Sequence, residues 1–223
     1  MSTGSVISWL STLKMELILN AADESELHSQ LEYQSAVGSL LYLSSATRPD
    51  ITFPVNNVTK CSEKPTKEHW SAVKSIFRYL KGTVNYGLQY SRDAREECVG
   101  FCDADWAGDT NDRKSVSGYL FQLNGCSVCW RSKKQPCVAL STAEAEYIAL
   151  SAAVQEALWM EQLLIDLNVN IKTPMTIYED NKVAISMSKK SAVSRKGKAR
   201  GHWVSFCTRS RAQSFNQHIL LSH

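Results

Sequence analysis

Three acidic residues are the strongest candidates for chemistry in this chain. Asp103 lies in FCDADWAGD, Glu146 in STAEAEYIAL and Asp180 in TIYEDN. Each stands at or near the end of a separate expected element. Carboxylates gathered into one pocket from separate elements can hold Mg²⁺ or Mn²⁺ against a phosphodiester. Such acids repel one another, which raises their pKa values until a cation binds. Singly, each reads as an ordinary surface residue. The shared placement at element ends is what points to a site.

Other candidates are weaker. Cys126-x-x-Cys129 has zinc-knuckle spacing but no second pair nearby. An offset of three on a strand sends the two thiols to opposite faces, so both are expected in the core. His69 and Trp70 read as packing residues. Ser141 reads as a helix cap, because no histidine stands in a matching role. Seven cysteines without framework spacing fit reduced thiols in an intracellular protein, cytoplasmic or nuclear. The start of the chain lacks a basic region ahead of its apolar stretch, so secretion is not expected. No uninterrupted apolar run approaches the ~18 residues that span a bilayer, and no membrane partner is expected. The oligomeric state is left open.

The elements that would position the three acids are legible from periodicity. Residues 1–30 give weak signals, with one amphipathic segment. Residues 31–90 read as a helical module. A helix over 31–46 closes before Pro49, and a short one follows toward Cys61. A third, capped by Thr66, runs to Lys81 with Trp70, Val73, Ile76, Phe77 and Leu80 at helical spacing. Gly82 is its natural stop. From Leu88 the period becomes two, and residues 91–190 read as a second region. Strands are expected from Val99 through Asp105, over 116–123 and over 126–132, with Asn124-Gly125 as a hairpin turn. Ser141 and Glu144 open a long helix as S-x-x-E. Tyr147, Leu150, Val154 and Leu158 mark its inner face. MTIYED then forms a fourth strand, parallel to the first by way of the crossover helix. A short helix from Asn181 to about Met187 follows, and this region ends at residue 190.

The strings GFCDADWAGD, DRKSVSGYLFQLNG, WRSKKQ, VALSTAEAEYIALSAAVQEALWMEQLL and IYEDNKVAI resemble the ribonuclease H domain of copia-type LTR retrotransposon polyproteins. YQSAVGSLLYLSSATRPDI and KEHWSAVKSIFRYLKGTVNYGLQY are similar to the segment that joins reverse transcriptase to that domain. The resemblance covers about residues 31–187. It implies an α/β fold with a ribonuclease H-like mixed sheet: three antiparallel strands, a crossover helix and a parallel strand, preceded by a small helical module. It also implies that Asp103, Glu146 and Asp180 bind two Mg²⁺ or Mn²⁺ ions that cleave the RNA strand of an RNA–DNA hybrid. Asp105 is an accessory acid, and Glu144, one helix step earlier, is not the ligand. Lys133 and Lys134, expected in a loop after the third strand, are either phosphate contacts or a solvated basic turn.

Two departures from the family stand out. No Y-x-D-D-type polymerase motif occurs. The family also continues into a segment reading H-x-R-x-K-H-I-D-I-R-Y-H, which supplies a fourth acid. Here the chain has SRKGKARGHWVSFCTRSRAQ instead. Residues 181–223 hold nine Lys or Arg and no acid, while the remainder is net −6. Codons can be chosen for residues 194–213 so that dropping one base reads HGRAKHVDIGYHFVRD. The expectation is a frameshift near Ser188–Ser194, and a disordered basic tail over 191–223 that binds nucleic acid only through its charge. Genomic DNA tests it: no single-base shift restoring H-V-D-I-x-Y-H would sink the idea. With three acids in place of four, impaired catalysis is expected. The alternatives are an inactive nucleic-acid-binding or protein-interaction module, or a non-functional product.

Overall fold

The computed structural model describes residues 30–90, 97–109, 111–194, 202–208 and 217–221. The amphipathic segment expected in residues 1–29 lies outside them. The chain divides into two compact units between Gln89 and Tyr90.

The first unit is helical. Helix α1 (Gln30–Ala46) is followed by a 3-10 turn (Pro49–Ile51), α2 (Thr52–Thr59) and α3 (Lys67–Gly82). Its core joins Tyr33, Val37 and Leu40 of α1 to Ile51, Val55 and Val58, and to Ala72, Val73 and Ile76 of α3. Thr66 caps α3 as expected. Its hydroxyl accepts from the His69 amide, and His69 Nδ1 accepts from the Thr66 amide at 3.0 Å. His69 is thus a capping residue, and burial pushes its pKa down. Arg48 and Asp50 form a buried pair at 2.6 Å. Asp50 also accepts from the Tyr79 hydroxyl at 3.0 Å, and Arg48 donates to the Thr83 hydroxyl at 2.7 Å. Removing one partner of such a pair strands a buried charge. Asp50→Ala should therefore destabilise this unit by about 3–5 kcal/mol. Amide exchange of α1 and α3 is the measurement, and protection equal to the parent protein's would refute it.

The second unit is a mixed sheet with helices. Strands β1 (Cys98–Asp105), β2 (Val116–Leu123) and β3 (Cys126–Lys134) form the antiparallel meander. Helix α4 (Thr142–Asp166) leads to β4 (Met175–Glu179), which pairs parallel to β1. The expected α/β, ribonuclease H-like architecture is therefore present. Asn124 and Gly125 have φ of 53° and 81°, as a tight hairpin turn requires. A register shift between Phe121 and Gln122 sets Cys129 opposite Phe121 and Cys126 opposite Leu123. Simple alternation, which separated these two thiols on paper, does not apply across it.

Helix α4 has the length and composition of a membrane span, yet it is the core helix of this unit. Its buried face carries a column of small residues, Ala145, Ala149, Ala153 and Ala157, with Leu150 beside it and Met160 and Leu164 continuing it. Val154 and Leu158 flank that column, partly buried, and Tyr147 is also only partly covered. Of the expected inner face, Leu150 is buried at 1% exposure, while Tyr147, Val154 and Leu158 lie at its margin. Large side chains give a strong periodic signal, but methyl groups are what let the helix lie close to the sheet.

The sheet then continues beyond the expected fold. Helix α5 (Lys182–Ser194) leads to β5 (His202–Thr208), parallel to β4, and β6 (Gln217–Leu221) returns antiparallel. The full order is β3-β2-β1-β4-β5-β6. The two strands fall within residues 191–223, the expected basic tail. HWVSFCT and QHILL are rich in β-branched, aromatic and aliphatic residues, and the open edge of β4 offers them a backbone partner.

Candidate metal centre

Sheet and helix bring the three acids together. Asp103 lies in the second half of β1, Asp180 immediately follows β4, and Glu146 sits in the second turn of α4. Because β1 and β4 are parallel neighbours, their C-terminal ends open at the same edge, where sites of such sheets form. One carboxylate oxygen from each of Asp103, Glu146 and Asp180 lies within 4.8 Å of the other two. Among the described residues this is the one such group of His, Cys, Asp or Glu side chains.

Glu146 is the buried member, at 8% exposure, and its Oε2 has no hydrogen-bond partner. Burial, and then the charges of Glu179, Asp103 and Asp180, push its pKa up to about 9, against the opposing pull of the Ala104 amide. Sequence reasoning missed Glu179. It is 1% exposed and lies next to Asp180. It accepts from the Cys102 thiol at 3.1 Å and from the Asn181 amide at 3.0 Å. Burial raises its pKa to about 7, although the Asn181 amide pulls the other way. The available signal was the alternation Met175, Ile177, Glu179, which puts this acid on the inner face of β4.

The neighbouring acids and bases have separate tasks. Glu144 accepts from the Leu140 amide at 2.7 Å, and Ser141 accepts from the Glu144 amide at 3.2 Å. Both therefore cap α4, which leaves Glu146 as the helix's candidate ligand. Asp105 packs against Gly108, where any Cβ would collide with its carboxylate, and it does not join the trio. Lys133 and Lys134 end β3 and do not form the expected loop. Lys133 is exposed, while Lys134 is held by Asp109 at 2.6 Å and Asp112 at 2.8 Å. Cys129 donates to Glu156 at 3.3 Å, apart from any metal-holding group.

Two contacts fix the helix that carries Glu146. The Trp106 indole donates to the Ala139 carbonyl at 3.1 Å, joining the turn after β1 to the approach to α4. Buried Gln135 donates to the Ser117 hydroxyl at 2.8 Å and to the Ala145 carbonyl at 2.9 Å. Ser117 pairs with Ala104, the neighbour of Asp103. The amide thus spans from one acid's strand pair to the other acid's helix. Gln135→Leu should lower stability by about 1–2 kcal/mol and weaken cation binding as well. Urea unfolding with and without Mg²⁺ checks both, and equal Mg²⁺ stabilisation in parent and variant would contradict the second part.

The chain is 41% identical over 195 residues to the retrovirus-related Pol polyprotein from transposon TNT 1-94 of Nicotiana tabacum, covering 86% of this chain and 14% of that one. It is 40% identical over 157 residues to the Pol polyprotein from transposon RE1 of Arabidopsis thaliana, covering 70% of this chain and 11% of that one. It is 52% identical over 128 residues to secreted RxLR effector protein 161 of Plasmopara viticola, covering 57% of this chain and 90% of that one. The chain is related to a segment of the retrotransposon Pol polyproteins. It spans only a small part of the Pol polyproteins themselves. No family model matches it, and no solved structure does. Within this Pol-related chain, the trio lies in the unit that begins at Tyr90.

Proposed function

We propose that the second unit is a copia-type ribonuclease H-like domain. Asp103, Glu146 and Asp180 hold divalent cations, Mg²⁺ or Mn²⁺, and its substrate is the RNA strand of an RNA–DNA hybrid. The observation that carries this reading is the convergence of three carboxylates, one of them buried with an orphaned oxygen. A hard cation suits an all-oxygen donor set. It would also relieve the repulsion that raises the Glu146 pKa. Held there, divalent cations supply positive charge against the phosphodiester and acidify an attacking water.

The chain's own residues do the rest. Burial of Glu146 keeps its carboxylate from bulk water, and the Gln135 amide keeps its helix in register with β2. Asn181 accepts from the Val183 and Ala184 amides at 2.9 and 3.1 Å, so α5 begins directly after Asp180. A helix start favours a negative group beside it. Selection of RNA over DNA would rest on contacts to the 2′-hydroxyl.

Three acids in place of the family's four place this domain well below a full nuclease in rate, because ligand geometry is part of the catalysis. Incubation with end-labelled RNA in a hybrid, with Mg²⁺ or Mn²⁺ and with chelator, tests the reading. Metal-dependent cutting of the RNA strand alone supports it. No cutting, and no stabilisation by either ion, would end it. Tight hybrid binding without cutting selects the second reading, an inactive binding module. One observation favours that second reading: the relative named as a secreted effector consists almost wholly of the matched segment.

A further inference from the structure

We propose that the solvent face of α3 is a docking surface for the phosphate backbone of duplex nucleic acid. Lys67, Lys74, Arg78 and Lys81 are all exposed on this helix. At about 100° per residue they fall within about 60° of arc, in single file over about 21 Å. The one acid of the helix, Glu68, lies about 80° away from the nearest of them. Among the described residues none of the four joins an ion pair. Lys74 lies over the Trp70 ring at 5.8 Å, and Arg78 donates only to Ser75, at 2.8 Å.

An ordinary solvated helix face intersperses charges of both signs, since like charges at i,i+3 and i,i+4 repel. Here Lys74, Arg78 and Lys81 stand at those spacings with no acid between them. The arrangement destabilises the helix alone and suits a partner that presents a long, regular row of negative charge. A duplex does so, with phosphates every ~3.4 Å along each strand. Phe77 is 43% exposed and flanks the file together with Trp70, giving ring surface beside the cations. Phosphate contacts position a protein on nucleic acid without reading sequence. The partner is therefore any duplex, hybrid included, and the proposal stands whether or not the trio cuts.

The test is binding of the full chain to a fluorescent RNA–DNA hybrid across a salt series, without divalent ions. Parent protein is compared with the variant carrying Lys67→Gln, Lys74→Gln, Arg78→Gln and Lys81→Gln. Glutamine is a good helix former, and a thermal melt checks that the fold survives. Contributions from the basic segment after residue 181 are common to both and cancel. The slope of log affinity against log salt should shrink by at least about 2 in the variant, with affinity at least about tenfold weaker at 0.1 M salt. A smaller change in slope overturns the proposal and leaves the face to a different partner, such as an acidic protein. Cation-induced stabilisation of the second unit should be unchanged, which separates failure here from failure of the nuclease reading.

Discussion

Asp103→Asn should abolish the response to Mg²⁺ and yet make the metal-free protein more stable. Asp103 contributes one of three carboxylate oxygens lying within 4.8 Å of one another. Neutralising it removes repulsion that Glu146 otherwise relieves by holding a proton. The relief should be on the order of 1 kcal/mol at pH 8, or about 2–4 °C in melting temperature. The same substitution removes a ligand, so stabilisation by 10 mM Mg²⁺ should vanish. Loss of outer-shell partners of a metal costs about 10–100-fold in affinity or activity, and a direct ligand should cost more than about 100-fold. Any metal-dependent cleavage by the parent should therefore fall below detection. Calorimetry with and without Mg²⁺ is the decisive measurement. A variant that melts lower than the parent without metal, or keeps the Mg²⁺ response, would show that the three acids do not act as one charged cluster.

The second large effect is on pH dependence. Glu146 has a pKa of about 9 in the folded protein against an ordinary 4.5, and Glu179 about 7. Between the ordinary and the raised values, the folded state binds protons that the unfolded state has released. Stability must then fall as pH rises. The metal-free second unit should lose on the order of a few kcal/mol from about pH 5 to about pH 9. Most of the loss above pH 7 belongs to Glu146, so Glu146→Gln should flatten that part of the curve. Below pH 7 both groups contribute, so Glu179→Gln should reduce the slope there and leave the share that belongs to Glu146. Saturating Mg²⁺ should flatten both, because a cation takes the place of the proton. Unfolding by urea at a series of pH values reads this directly. A metal-free stability that rises from pH 5 to pH 9 would contradict the electrostatics of the site.

The residues that were easy to read are those whose signal is local. The Thr66 cap, the Asn124-Gly125 turn and the S-x-x-E helix start each depend on neighbours within four positions. The pairing of β1 with β4 followed from the crossover helix between them, and it brings Asp103 beside Asp180. Glu179 was missed because its role is set by depth in the sheet and by Cys102, 77 residues away. Lys134 was read as an open cation because its partners, Asp109 and Asp112, lie across a turn whose closure periodicity does not report. Gln135 carries no charge and no periodic signal. Its importance comes from touching β2 and α4 at once.

The column of alanines on α4 has a consequence for the trio. Ala145 and Ala149 flank Glu146 on the buried face, and their methyl groups set how closely the helix lies on the sheet. The span between Glu146 on the helix and Asp103 on the strand is therefore a thickness, measured in methyl groups. A thicker layer would part those two carboxylates, leaving a hole fit for larger ions and loose around small ones. If the trio holds cations as proposed, ionic size selection at this edge would be a property of the apolar layer beneath it, set by side chains that never meet an ion.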